Sequence, residues 1–133
     1  MTITPVIISQ NVFANHGQEM MLSLDYGHFQ SLIDDEGNQV KALVNYTIQD
    51  QSILDQIITS VMKVYTLNGT LLKTSSSTIG DLFRNNGTEE LATTLPNNTI
   101  QNVTALVTFI DTEDMPVSNS LTVKLNFGQT IQG

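Results

Sequence analysis

The stretch 102–127, NVTALVTFIDTEDMPVSNSLTVKLNF, decides the fold class. From Asn102 to Ile110, Val103, Ala105, Val107 and Phe109 fall on one face, while Asn102, Thr104 and Thr108 fall on the other. From Ser120, Leu121, Val123, Leu125 and Phe127 alternate in the same way with Ser120, Thr122, Lys124 and Asn126. Period two with one polar face describes a strand half on a core and half in water. The turn Asp111–Pro116 between them makes the pair an antiparallel hairpin.

Moving outward, the same rhythm repeats. Met20, Leu22, Leu24 and Tyr26 alternate with Glu19, Ser23 and Asp25. Val40, Ala42, Val44, Tyr46 and Ile48 alternate with Lys41, Asn45 and Thr47. Asp34-Asp35-Glu36-Gly37-Asn38 between them reads as a turn, because Gly and Asn tolerate positive φ. Val64–Leu67 and Thr70–Lys73 flank Asn68-Gly69, the strongest short hairpin signal, and predict a type I′ turn. Thr4–Ser9 reads as an opening strand, and Glu90–Leu95 as another, closed by Pro96-Asn97-Asn98. Residues 51–62 carry two readings. Ile53, Leu54, Ile57, Ile58, Val61 and Met62 have helical spacing behind Asp50 as an N-cap. The β-branched content favours a loop over Gln51–Ile57 with one helical turn, then a strand from about Ile58. The sum is an all-β chain: an immunoglobulin-like antiparallel β-sandwich of about seven strands.

The bulk properties agree. The chain has 133 residues, which fits a single domain over 1–133 with a core that needs no staple. There is no cysteine, so disulfides, cysteine zinc sites and thiol nucleophiles are excluded. Charged residues make up only 14%; Thr, Asn, Ser and Gln supply the remaining polarity. The net charge is −8, and the cations Lys41, Lys63, Lys73, Arg84 and Lys124 are scattered. Phosphate recognition needs them clustered, so no nucleic-acid partner is expected. No apolar run reaches the length of a membrane span, and none is expected to insert. Met1–Ser9 lacks a basic segment followed by an apolar one, so no signal peptide is expected here.

The order of signals resembles immunoglobulin-like modules of prokaryotic, especially archaeal, surface and secreted proteins. The resemblance rests on the strand and Asn-Gly hairpin Val61–Thr74, the step Gly87-Thr88, the run Leu91–Thr99, and the Thr-rich strand Val103–Phe109. It covers the chain from about Gln18 onward, and its motifs are turn and strand grammar. It implies a sandwich fold, an exterior setting and roles as spacer, adhesion unit, appendage subunit or docking domain. It carries over no active site.

Catalytic motifs are missing: no nucleophile elbow, phosphate loop, dinucleotide fingerprint or His-Glu-x-x-His. No catalytic residue, metal ligand or cofactor is therefore assigned. His16 and His28 sit beside Gly17 and Gly27, without a matched carboxylate. Asp34-Asp35-Glu36 and Asp111, Glu113, Asp114 lack calcium-loop spacing and read as turns. Tyr26, Tyr46 and Tyr65 fall at strand positions and read as core or edge residues. The informative surface feature is five Asn-x-Thr sequons, at Asn45, Asn68, Asn86, Asn97 and Asn102, each a candidate glycosylation acceptor. All five fall in expected turns or on outward strand faces.

These features lead to a non-catalytic structural or adhesion module of an extracellular or cell-surface assembly. Its partners would be proteins, or further copies of itself, met through edge strands. Thr4–Ser9 and Ser120–Phe127 are the expected edges. A virion capsid or decoration protein is one alternative. A calcium- or small-ligand-binding accessory domain of a larger protein is the other.

Overall fold

The computed structural model describes residues 2–5, 11–13, 20–33, 37–79, 86–96 and 102–127. The described chain is built of strands, with one single-turn 3₁₀ helix at Gln51–Asp55. The strands are β1 (Thr2–Pro5), β2 (Asn11–Phe13), β3 (Leu22–Ile33), β4 (Gln39–Ile48), β5 (Ile58–Thr66), β6 (Leu71–Ile79), β7 (Asn86–Thr94), β8 (Asn102–Ile110) and β9 (Ser120–Asn126). They form two antiparallel sheets, ordered β1-β3-β4-β7 and β2-β9-β8-β5-β6. The all-β sandwich expected from the alternating pattern is present, with nine described strands in place of about seven. In the second sheet the hairpins β5–β6 and β8–β9 are joined through the pairing of β5 with β8. In the other sheet, consecutive strands β3 and β4 lie side by side.

The core follows directly from the alternation. Val40, Ala42, Val44 and Tyr46 of β4 face Val103, Ala105, Val107 and Phe109 of β8 across the interior, all buried. The Tyr46 and Phe109 rings meet edge-on at 5.5 Å, a geometry that suits the ring quadrupoles. Gly27 lets the sheets approach: a Cβ there would lie 2.8 Å from Phe29 Cε1 and 3.1 Å from Leu121 Cδ1. The missing side chain is filled by those two.

Three local readings are refined. Asp50 caps the 3₁₀ turn through its carboxylate, which accepts from Ser52 N at 3.0 Å and Ser52 Oγ at 2.9 Å. Strand β5 then begins at Ile58. A longer helix is disfavoured because only Ile53 of the turn is buried, while Ile57 is 60% exposed. At the β5–β6 hairpin, Gly69 has φ +92° but Asn68 stays at negative φ. Gly69 N donates to Thr66 O, and Thr66 N to Thr70 O. This is a three-residue loop with glycine in the left-handed position in place of the expected type I′ turn. Finally, β9 is not a free edge along its whole length, since β2 pairs with Ser120–Thr122. Of the expected opening edge Thr4–Ser9, Thr4 and Pro5 belong to β1, and residues 6–9 lie outside the described residues.

One side chain joins the two sheets at their open end. Among the described residues β1 pairs with β3 from Gln30 to Ile33, and at Leu24 the same flank of β3 is met by a side chain. Asn119, 1% exposed, supplies it. Its Oδ1 accepts from Leu24 N at 2.7 Å, and its Nδ2 donates to Leu24 O at 3.1 Å. The primary amide thus takes the part of a missing strand residue, just before the β3 irregularity between Leu24 and Tyr26. Alongside, Met21 N and Leu22 N both donate to Val117 O, and Ser118 Oγ accepts from Phe109 N at 3.0 Å.

Two predictions follow from this geometry. Replacing Asn119 with Ala leaves the buried N–H and C=O of Leu24 without partners, and should cost about 2–4 kcal/mol in urea unfolding. An effect below about 0.5 kcal/mol, the usual level of an uninvolved surface change, would show that water replaces the amide. The bonds from Ser52, backbone first and hydroxyl second, hold the Asp50 carboxyl below the ordinary aspartate range. The stabilisation from a depressed carboxyl is present above the unfolded-state pKa and is lost as pH falls through the folded value. Melting temperature followed into acid should therefore fall less steeply for Asp50→Ala than for the wild type.

Candidate functional site

The sequons are the residues from which a site can be built. Two of them are brought together. Strands β4 and β7 pair so that Asn45 lies opposite Thr88, Tyr46 opposite Gly87, and Thr47 opposite Asn86. Each Asn-x-Thr tripeptide therefore lies head to tail against the other. The alternation that buries Tyr46 turns Asn45, Thr47, Asn86 and Thr88 to the outer face. Asn45, Asn86 and Thr88 are exposed. Thr88 Oγ1 donates to Asn45 Oδ1 at 3.0 Å. Thr47 Oγ1 donates to Asp25 Oδ2, and Ser23 Oγ to Asp25 Oδ1 at 2.9 Å. Asp25, Asn45, Thr47, Asn86 and Thr88 line a shallow hollow of about 360 Å³.

Asn68 and Asn102 lie at the opposite end of the sandwich. Asn68 is exposed at the tip of the β5–β6 hairpin, where its Oδ1 accepts from Thr66 Oγ1 at 3.2 Å. The pairing of Thr66 with Val103 brings the exposed start of β8 to the same end. There Asn102 Oδ1 accepts from Asn126 Nδ2 at 2.8 Å. Asn97 lies outside the described residues.

A larger concavity, about 620 Å³, lies on the outer face of the second sheet. Val61 forms its floor and is only 6% exposed although it points away from the core. The walls carry hydroxyls from Thr59, Thr74, Ser76 and Thr108, with Lys63 on β5 and the Asp111 turn at the other end. Asp111 holds that turn: its Oδ1 accepts from Glu113 N at 2.8 Å and Met115 N at 3.0 Å. Asp114 takes the left-handed conformation, φ +62°. The acidic run 111–114 is thus turn architecture, as its spacing suggests.

The other singled-out residues are dispersed. His28 lies on the outer face of β3 opposite Leu43, its Nε2 buried and unpartnered among the described residues. His16 and Asp34–Glu36 lie outside the described residues. Tyr46 is core, while Tyr65 is half-buried on the outer side of β5. Among the described residues, no three of His, Cys, Asp and Glu converge as metal ligands would, and no helix is long and apolar enough to cross a membrane.

Strand β6 extends beyond Thr70–Lys73, the stretch that the Asn68-Gly69 hairpin signal predicts. It continues through Thr74-Ser75-Ser76-Ser77-Thr78 to Ile79. Lys73, Thr74, Ser76, Ser77 and Thr78 are all exposed, so the strand overhangs the sandwich with little cover on either face. The signal was there in the run of hydroxyl residues, which lacks an apolar alternate face. The sequence matches no protein-family model and no curated protein.

The Thr88–Asn45 bond is exposed, so it contributes little. Thr88→Val should shift stability by less than about 1 kcal/mol in a thermal melt. A larger loss would mean that the paired sequons brace the β4–β7 edge.

Proposed function

We propose that this chain is a non-catalytic structural or adhesion module of an extracellular or cell-surface assembly, related in kind to the immunoglobulin-like modules it resembles. The observation that carries the reading is the placement of the sequons. The four acceptors within the described residues, Asn45, Asn68, Asn86 and Asn102, are all exposed. They sit in two pairs at opposite ends of the sandwich. An acceptor must be reachable at the surface, and a glycan there adds a large solvated group without disturbing a core. The acidic, lysine-poor surface, net charge −8, supports solubility and disfavours non-specific adhesion to polyanions. The exposed strand edges supply a means of joining other chains through main-chain hydrogen bonds.

The test is intact-mass and peptide-level analysis of protein isolated from its native source. The expected result is hexose-containing mass additions at one or more of Asn45, Asn68, Asn86 and Asn102, absent after Asn→Gln substitution. An unmodified chain at all four positions would overturn the exterior reading.

A further inference from the structure

We propose that two copies of this chain join edge to edge through β6, antiparallel, so that the five-stranded sheets become one continuous sheet across a two-fold axis. The proposal rests on the reading of the domain as an interaction module and names its partner and its contact.

The argument starts from what β6 lacks. It is a nine-residue strand that, among the described residues, pairs with β5 alone and so ends the sheet. Natural edges are blunted by proline, inward charges, central bulges or short length. Strand β6 has no proline and its irregularity is confined to the hairpin end near Leu72; the inward-facing Lys73 is its one charge, and the pairing described below gives that charge a partner. Its middle, Thr74–Thr78, is composed of small hydroxyl residues that fit against their own copies, and cross-strand Thr–Ser contacts are favourable.

The register follows from charge. Strand β5 pairs Val64 with Lys73, Met62 with Ser75 and Ser60 with Ser77. Lys73, Ser75 and Ser77 therefore share the face of β6 that looks toward the first sheet. On that side stands Glu89 of β7, whose Oε2 lies 3.2 Å from Ser60 Oγ. Close by, Ser75 Oγ donates to Ala92 O at 3.1 Å. If two β6 strands pair about Ser75, Lys73 of each copy lies opposite Ser77 of the other, one strand spacing of about 4.8 Å away. A lysine stem spans the remaining width toward Glu89. Lys73 has no partner among the described residues. The two-fold makes this lysine–glutamate contact twice, in a chain that otherwise repels its copy through a charge of −8.

The experiment is light scattering after size exclusion on the full chain, over a wide concentration range at low and moderate salt. The expected mass climbs with concentration toward twice 14.6 kDa, and added salt narrows the difference between the wild type and Lys73→Glu. Lys73→Glu and Glu89→Lys should each raise the dissociation constant about tenfold, and the double exchange should restore it. Lys73 is exposed and Glu89 half-buried, and circular dichroism checks that each variant folds. Net charge alone predicts a different pattern, with Glu89→Lys strengthening association. That pattern, or a monomer at every concentration, or a dimer indifferent to both changes, overturns the proposal. A monomer whose native-source form still carries glycans defeats the β6 contact alone and leaves the exterior reading intact.

Discussion

The architecture depends on the pairing of the Asn119 side chain with the backbone of Leu24. A two-layer sandwich must bring its sheets together without leaving main-chain groups dry and unpaired, because each such group costs as much as a lost hydrogen bond. The flank of β3 at Leu24 is such a place. Asn119 satisfies both the donor and the acceptor of Leu24 with one amide, a pairing open to Asn or Gln and closed to Asp, which cannot donate when ionised. Its position immediately before β9 fixes where that strand enters the second sheet. That in turn places Leu121 against Gly27 and Phe29 in the interior.

The same economy of partners shapes the other side of the sandwich. There the sheets are joined by hydroxyls: Ser60 to Ser77 O and Glu89, and Ser75 to Ala92 O. Ser60 is fully buried, and its polar group is tolerated because it has partners. These contacts hold β6 beside β7 without a backbone ladder between them. Among the described residues β6 stays an edge, paired with β5 on one flank alone.

The alternation in β4, β8 and β9 was legible because burial of one face writes a period of two directly into the sequence. The loop over Gln51–Ile57 was legible for a related reason: Asp50 and Ser52 form a local cap whose parts lie two residues apart. The long hydroxyl strand β6 was hidden, since exposure on both faces erases the alternation. The Asn68-Gly69 turn was located correctly while its geometry was not. The two-residue signal cannot register that Thr66 and Thr70 close a wider loop around it.

For the site, sequence supplied the five sequons and the exposed placement of the four within the described residues, because acceptor motifs are local and alternation assigns a face. It could not show that 45–47 and 86–88 face each other, or that Asn68 and Asn102 share an end. Those facts depend on strand register between segments forty residues apart, which is set by the packing of whole sheets. The sequence alone thus determined the class: an all-β sandwich with a polar, acidic surface. Tertiary structure decided which strands are edges, which polar residues are inside, and which surface residues are neighbours. The physical reason is that strand propensity and alternation act along the chain, whereas edges, buried amides and clustered acceptors are defined by contacts between distant segments.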